Sequence, residues 1–400
     1  MEVGRAPGAP ARREGGVVQA GERRSARIES LRALSALAVL SCHAWAFTNL
    51  ATLGTFHSRV ILGAGFLGVD VFFALTGFLI FLPFARRDYG HGPPVDLGGY
   101  ALNRALRILP LYYVVLVIVA AIDGTALTTF LRFALFSQSF SQSLVAKVLD
   151  GPMWSLVVEL HFYVLLPLLA WVLARLSRGS AGRAAALLVG LGAASTGVYE
   201  AGFHPFEVWT YSLPASFVYF VPGMLLAIAS VRLQGRVPRW THHPLARADL
   251  WLLAAVGVWL ALFLDPTIEI RLLPLAIVGT ALVVGSCTLP IQRRGLDRLL
   301  DVRPLAWVGV ISYSLYLWHW PLLNWLPRPG MAGYGGWLVF MAYAIPVCLV
   351  AAWISYRLVE APALRFRRRW FAGSTAPGPT RPAGKAPVAV VAPAGPPGKR

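Results

Sequence analysis

Long apolar runs separated by short basic gaps organise this chain. Ten stretches approach the roughly 20 residues that a helix needs to cross a hydrocarbon layer about 30 Å thick. They are 33–50, 60–84, 106–122, 153–174, 184–199, 208–231, 249–264, 272–291, 304–326 and 335–356, the fifth and seventh being short. The pattern predicts an all-α polytopic membrane protein, a bundle of about ten transmembrane helices.

Charge orients the bundle. With the N-terminus in the cytoplasm, the segments on that side hold 31 of the 36 Lys and Arg residues. The opposite side keeps Arg59, Arg132, Lys147, Arg271 and Arg328. This asymmetry implies an even number of spans and puts both termini in the cytoplasm. One missed or invented span would scramble the alternation. The longest outer connection is 123–152, where 130–144 mixes aromatic and polar residues and suits an interfacial helix or a re-entrant cover.

Composition narrows the classes further. The 400 residues are 57% apolar and 14% charged, with a mean hydropathy of +0.62. That is too apolar for a disordered chain. The formal net charge of +18 sits in gaps between apolar runs, not on a polar globular surface, which argues against a nucleic-acid partner. Each of the three cysteines, Cys42, Cys287 and Cys348, lies inside an apolar run, so no disulfide scaffold is expected. Residues 1–26 read as a disordered basic segment without a secretory signal, 27–366 as the membrane domain, and 367–400 as a disordered Ala/Pro/Gly-rich cytoplasmic tail.

Ionisable groups at membrane depth are costly and therefore candidates for function. At about 1.5 Å per residue, His43 lies roughly 16 Å above the cytoplasmic edge and His319 about 22 Å above it. Asp70 lies about 15 Å and Glu159 about 9 Å below the outer edge. Four helices thus bring two histidines and two carboxylates to similar depth, the material for a general base with an orienting carboxylate. The structural alternatives are helix-packing histidines, an Asp70 bonded to backbone N–H groups near Gly65, Gly68 or Gly77, and a Glu159 paired with an arginine. His161 is two residues from Glu159, points to another helix face and reads as structural. No tight motif such as HExxH is present, so no metal is expected.

A second constellation lies at the inner edge. Arg104 and Arg107, at i and i+3, share one helix face, and Arg32 opens the first span. Anchoring explains most basic residues there. Arg104 and Arg107 also have the spacing of a bidentate clamp on a phosphorylated ligand.

Several stretches resemble acyltransferase family 3, integral membrane O-acyltransferases of carbohydrates and other hydroxylated compounds. Arg32, ten residues and His43 match the family's opening. Gly68-Val69-Asp70-Val71-Phe72-Phe73-Ala74-Leu75-Thr76-Gly77-Phe78-Leu79 resembles its second-span signature, with Thr76 in the usual Ser place. Arg104-Ala105-Leu106-Arg107, Trp154-Ser155-Leu156-Val157-Val158-Glu159 with Phe162-Tyr163, Ser312-Tyr313-Ser314-Leu315-Tyr316-Leu317-Trp318-His319, and Glu360 with Pro362 match further motifs. They occur in the family's order over residues 27–366. Some members append a soluble hydrolase-like domain; here the short tail follows, so a second activity is expected to need a separate protein.

The resemblance implies an acyl-CoA co-substrate, most often acetyl-CoA, with no permanently bound cofactor. It implies that Arg32, Arg104 and Arg107 meet the donor's phosphates and that His43 acts as general base on an acceptor hydroxyl. Glu159 or Asp70 would orient His43. Tyr313, Tyr316 and His319 would hydrogen-bond the oxyanion or the acceptor, and Ser155 is a candidate carrier in a covalent variant of the scheme. The acceptor would be an envelope carbohydrate, a glycolipid or a glycosylated metabolite such as a macrolide-type antibiotic. The rival from first principles is a transporter using His, Asp and Glu as a proton relay.

Overall fold

The computed structural model describes residues 11–48, 56–141, 151–201, 211–234, 238–264, 273–293, 295–328 and 333–366. They form helices and no strand: α1 Ala11–Ala46, α2 Phe56–Tyr89, α3 Leu97–Ile122, α4 Leu127–Ala134, α5 Met153–Ser177, α6 Ala181–Ala201, α7 Leu213–Arg232, α8 Ala248–Leu264, α9 Leu273–Thr288, α10 Arg303–Val310, α11 Ser312–Trp325 and α12 Gly333–Ser355. The tail 367–400 and the 142–150 part of the long outer connection lie outside the described residues. α1 begins at Ala11, within the segment that its composition sets apart.

Each of the ten apolar stretches falls on a helix, but they are not ten alike. Among the described residues, six helices (α2, α3, α5, α6, α7 and α12 with its extension) are long and apolar enough to cross a membrane. α8 and α9 are apolar but shorter, and α1 carries its apolar stretch only in its second half. The ninth stretch is broken: α10 ends at Val310, Ile311 turns, and α11 restarts at Ser312. In the outer connection the short helix α4 packs against α3, where Tyr112 donates a hydrogen bond to the Phe133 carbonyl at 2.7 Å.

Helices dominate because hydrocarbon supplies no partner for backbone N–H and C=O groups, so each segment must satisfy its own. Lipid does not drive helices together as water does, so close backbone approach matters. α2 and α7 show this: a side chain at Gly223 would overlap the Ala74 carbonyl, and one at Gly77 would overlap that of Phe220. Beside this contact Phe220 stacks on Phe73 at 4.7 Å and on Phe162 at 4.1 Å, tying α2, α5 and α7 into one core.

Two features place the site. Arg27 of α1 forms a two-pronged ion pair with Asp301, at 2.7 and 2.6 Å, which holds α1 against the turn Gly295–Asp301. The last helix does not stop at residue 356 as its hydropathy predicts. It passes through a π turn, Tyr356–Glu360, and continues to Phe366. The extra residue of a π turn rotates the following side chains, and Glu360 is buried at 1% exposure.

Candidate active site

Five helices build the site, each from one face. On α1, Arg32 and His43 are separated by three turns and about 20° of rotation, so they point the same way roughly 16 Å apart. Ser312, Tyr316 and His319 follow the i, i+4, i+7 stripe of α11, Ser155 and Glu159 the i, i+4 stripe of α5, and Arg104 and Arg107 one face of α3. α2 adds Phe72, Phe73 and Thr76. The arginines, Phe72, Phe73, Thr76, Ser155, Glu159, Ser312 and Tyr316 line an open cavity with about 860 Å³ of empty volume, and His43 and His319 lie beyond its Tyr316 end. Arg32, Arg104 and Arg107 line one end of it and Ser155 and Tyr316 the other, with Glu159 and Thr76 between.

The arginine end is only partly neutralised. Arg107 pairs with Glu360, whose second oxygen is 3.1 Å from the Ser314 hydroxyl. Arg32 reaches Glu29 at 3.4 Å. Arg104 stands 5.9 Å over the Tyr163 ring and has no carboxylate partner among the described residues. An anion entering here meets one guanidinium free of a carboxylate and two that share theirs, the arrangement that favours charge-assisted hydrogen bonds to phosphate.

At the other end the Tyr316 and Ser155 hydroxyls lie 2.6 Å apart, and both reach the Pro152 carbonyl, at 2.7 and 3.0 Å. One turn further along α11, His319 Nδ1 lies 2.6 Å from the Tyr316 carbonyl and His319 Nε2 lies 2.9 Å from His43 Nδ1. A carbonyl only accepts, so the network assigns the proton to His319 Nδ1 and leaves Nε2 as a lone pair. His43 Nδ1 must then be the donor, and His43 Nε2 is the unprotonated nitrogen. The Trp320 ring packs edge-on against His43 at 5.1 Å.

The carboxylates stand elsewhere than the sequence suggests. Glu159 accepts hydrogen bonds from Thr76, at 2.7 Å, and from Tyr163, not from His43. Asp70 lies on the α7 side of α2, near Tyr199 and Tyr219. The expected carboxylate partner of His43 is therefore replaced by His319, because the α2 face that carries Asp70 turns away from α1. Tyr313 donates to the Ile108 carbonyl at 2.8 Å, so its hydroxyl fastens α11 to α3. His161 lies off the site, its ring 6.0 Å from Phe140. Among the described residues no three His, Cys, Asp or Glu side chains group as metal ligands.

The site-residue reading of the sequence omitted Glu360, Ser314, Thr76, Tyr163 and Trp320. Glu360, Ser314, Thr76 and Tyr163 lie in the stretches that resemble the family's motifs, and Glu360 is also the one acid in the basic run 357–369.

A family model described as an acyltransferase domain matches residues 25–356, and the chain belongs to this acyltransferase family. It is similar to the peptidoglycan O-acetyltransferase OatA of Listeria monocytogenes, 25% identical over 364 residues that cover 84% of this chain and 55% of that protein. It is similar to the exopolysaccharide production protein ExoZ of Rhizobium meliloti, 28% identical over 326 residues, 75% of this chain and 90% of the relative. The acyltransferase MdmB of Streptomyces mycarofaciens is 26% identical over 399 residues, 88% and 95% of the two chains. The chain spans about half the length of OatA. No solved structure matches it.

Proposed function

We propose that the chain is an acyl-CoA-dependent O-acyltransferase of the cell membrane, with both termini cytoplasmic. In this reading it moves an acetyl group to a hydroxyl of an envelope carbohydrate, a glycolipid or a glycosylated metabolite. One observation carries it: three arginines, two hydroxyls and a histidine pair with an unprotonated nitrogen follow one another along a single axis of the bundle. The names of relatives that act on peptidoglycan, or serve exopolysaccharide production, support a carbohydrate acceptor.

The donor's phosphates sit among Arg32, Arg104 and Arg107, and its thioester reaches toward Tyr316 and Ser155. His43 Nε2 takes the proton of the acceptor hydroxyl as the oxygen attacks the thioester carbon. One of the Tyr316 and Ser155 hydroxyls turns from the Pro152 carbonyl to donate to the oxyanion that forms, while the other keeps that carbonyl bonded. Collapse breaks the C–S bond, the acyl ester forms, and the thiolate leaves and recovers the proton from His43. The imidazolium is transient and is held by its Nδ1–H bond to His319.

Membranes containing the full chain, incubated with isotopically labelled acetyl-CoA, test this. Mass spectrometry of envelope glycans and secreted metabolites should find an O-linked labelled acetyl group that is absent with the His43→Ala protein. Label that stays on acetyl-CoA in the presence of both acceptor pools, with the wild-type chain folded, would sink the proposal.

A further inference from the structure

A second cavity opens past the arginines, on the side away from the histidine pair, between the later half of α2 and the first turns of α3. It has about 650 Å³ of empty volume and shares Leu79, Ile80 and Arg104 with the first cavity, so the two meet at Arg104. Pro83 and Tyr100 contribute apolar surfaces, and Asp96 stands exposed at its edge. The Tyr100 hydroxyl donates to the Tyr163 carbonyl at 2.9 Å, which fixes the ring in place.

Asn103, immediately before Arg104, also lines this cavity. Its Oδ1 is shielded from solvent and has no hydrogen-bond partner. A buried acceptor left unpaired is costly, and its environment asks for an N–H or O–H brought by a ligand. Three properties define that ligand. It must present a donor to an amide oxygen, offer flat faces to Pro83 and Tyr100, and join a phosphate held at Arg104.

We propose that this cavity is a purine-base subsite that receives the nucleotide end of the acyl donor. This rests on the reading that the donor is a CoA thioester. The exocyclic amine of adenine donates to Asn103 Oδ1 while its ring nitrogen accepts from Nδ2, the pairing that suits a carboxamide and an adenine edge. The ribose 2′-hydroxyl then faces Asp96, and the 3′-phosphate turns from that carboxylate toward the arginines. The diphosphate lies between this subsite and the reacting thioester, so the two cavities divide one extended molecule between them.

The test is equilibrium binding to the full chain in nanodiscs by calorimetry, with CoA and with 4′-phosphopantetheine, which lacks the nucleoside. Asn103→Leu should weaken CoA binding about 10-fold, the loss of a hydrogen bond between ligand and site, and leave 4′-phosphopantetheine unchanged. That unchanged affinity also reports that the variant is folded. On the wild-type chain, adenosine 3′,5′-bisphosphate should displace CoA about 10-fold better than its inosine counterpart, in which a carbonyl oxygen replaces the amine. Equal competition by the two nucleotides, or CoA binding unchanged by Asn103→Leu, overturns the base subsite while leaving the acyl-CoA donor intact. A wild-type chain that binds no CoA overturns the donor and the subsite together.

Discussion

His43 Nδ1 and His319 Nε2 lie 2.9 Å apart, and the bond that His319 makes behind itself decides which of them carries the proton. With His319 Nδ1 committed to the Tyr316 carbonyl, His43 is held in the tautomer whose outer nitrogen is a base. His319 is thus a positioning residue that acts through His43. His319→Ala should lower kcat for acetyl transfer about 100-fold, the lower range of a general-base contribution, with little change in KM for acetyl-CoA. His319→Gln, whose amide oxygen accepts from His43 Nδ1–H, should retain more activity than His319→Ala. Equal loss in the two variants would show that the tautomer is not what His319 controls.

Arg104 is the cavity guanidinium without a carboxylate partner among the described residues, so removing it leaves no buried acid unpaired. Arg104→Ala should raise KM for acetyl-CoA about 10- to 100-fold, as expected for lost hydrogen bonds to a charged group, and leave kcat within a few-fold. Steady-state kinetics at varied acetyl-CoA checks this. An unchanged KM would return Arg104 to the role of a membrane-edge anchor.

Much of this was legible in the sequence, and the failures share a cause. The rise per residue gives the depth of His43 and His319 along their helices, and that brought forward two residues separated by 276 positions. It does not give the direction in which a helix face looks. Asp70 and Gly77 are seven residues apart and share a face, and Gly77 packs onto the α7 backbone, which turns Asp70 toward Tyr219 and away from His43. Hydropathy also ends the last span at 356, because Arg357 and Glu360 read as an aqueous edge. The π turn carries the helix on and folds Glu360 back onto Arg107, a contact that no local pattern encodes.

That contact has a measurable energy. Glu360 is buried and Arg107 has a side-chain exposure of 22%, so each is poorly compensated without the other. A double-mutant cycle with Arg107→Met and Glu360→Gln, read by thermal unfolding in detergent, should give a coupling energy of roughly 0.5–3 kcal/mol. Additive single effects would mean that the pair is incidental to the fold.

The 31-to-5 distribution of basic residues predicts the sidedness of every connection. The three native cysteines are buried and free, which suits labelling of introduced ones. Gly182, with open space around its Cα, lies in the first turn of α6 beside the α5–α6 connection, and Thr125 follows α3 at the opposite end. In intact cells Thr125→Cys should react with a membrane-impermeant maleimide, and Gly182→Cys only after the membrane is opened. The reverse pattern would invert the bundle and place the arginine end away from cytoplasmic CoA.

The most direct measurement is the initial rate of label transfer from acetyl-CoA by the His43→Ala protein in membranes, with CoA binding measured on the same preparation. Loss of general-base catalysis predicts a fall of about 10²- to 10⁴-fold with CoA affinity unchanged. A near-normal rate from a folded, CoA-binding His43→Ala protein would contradict the assignment of His43 as the base, and with it the chemistry assigned to the histidine pair.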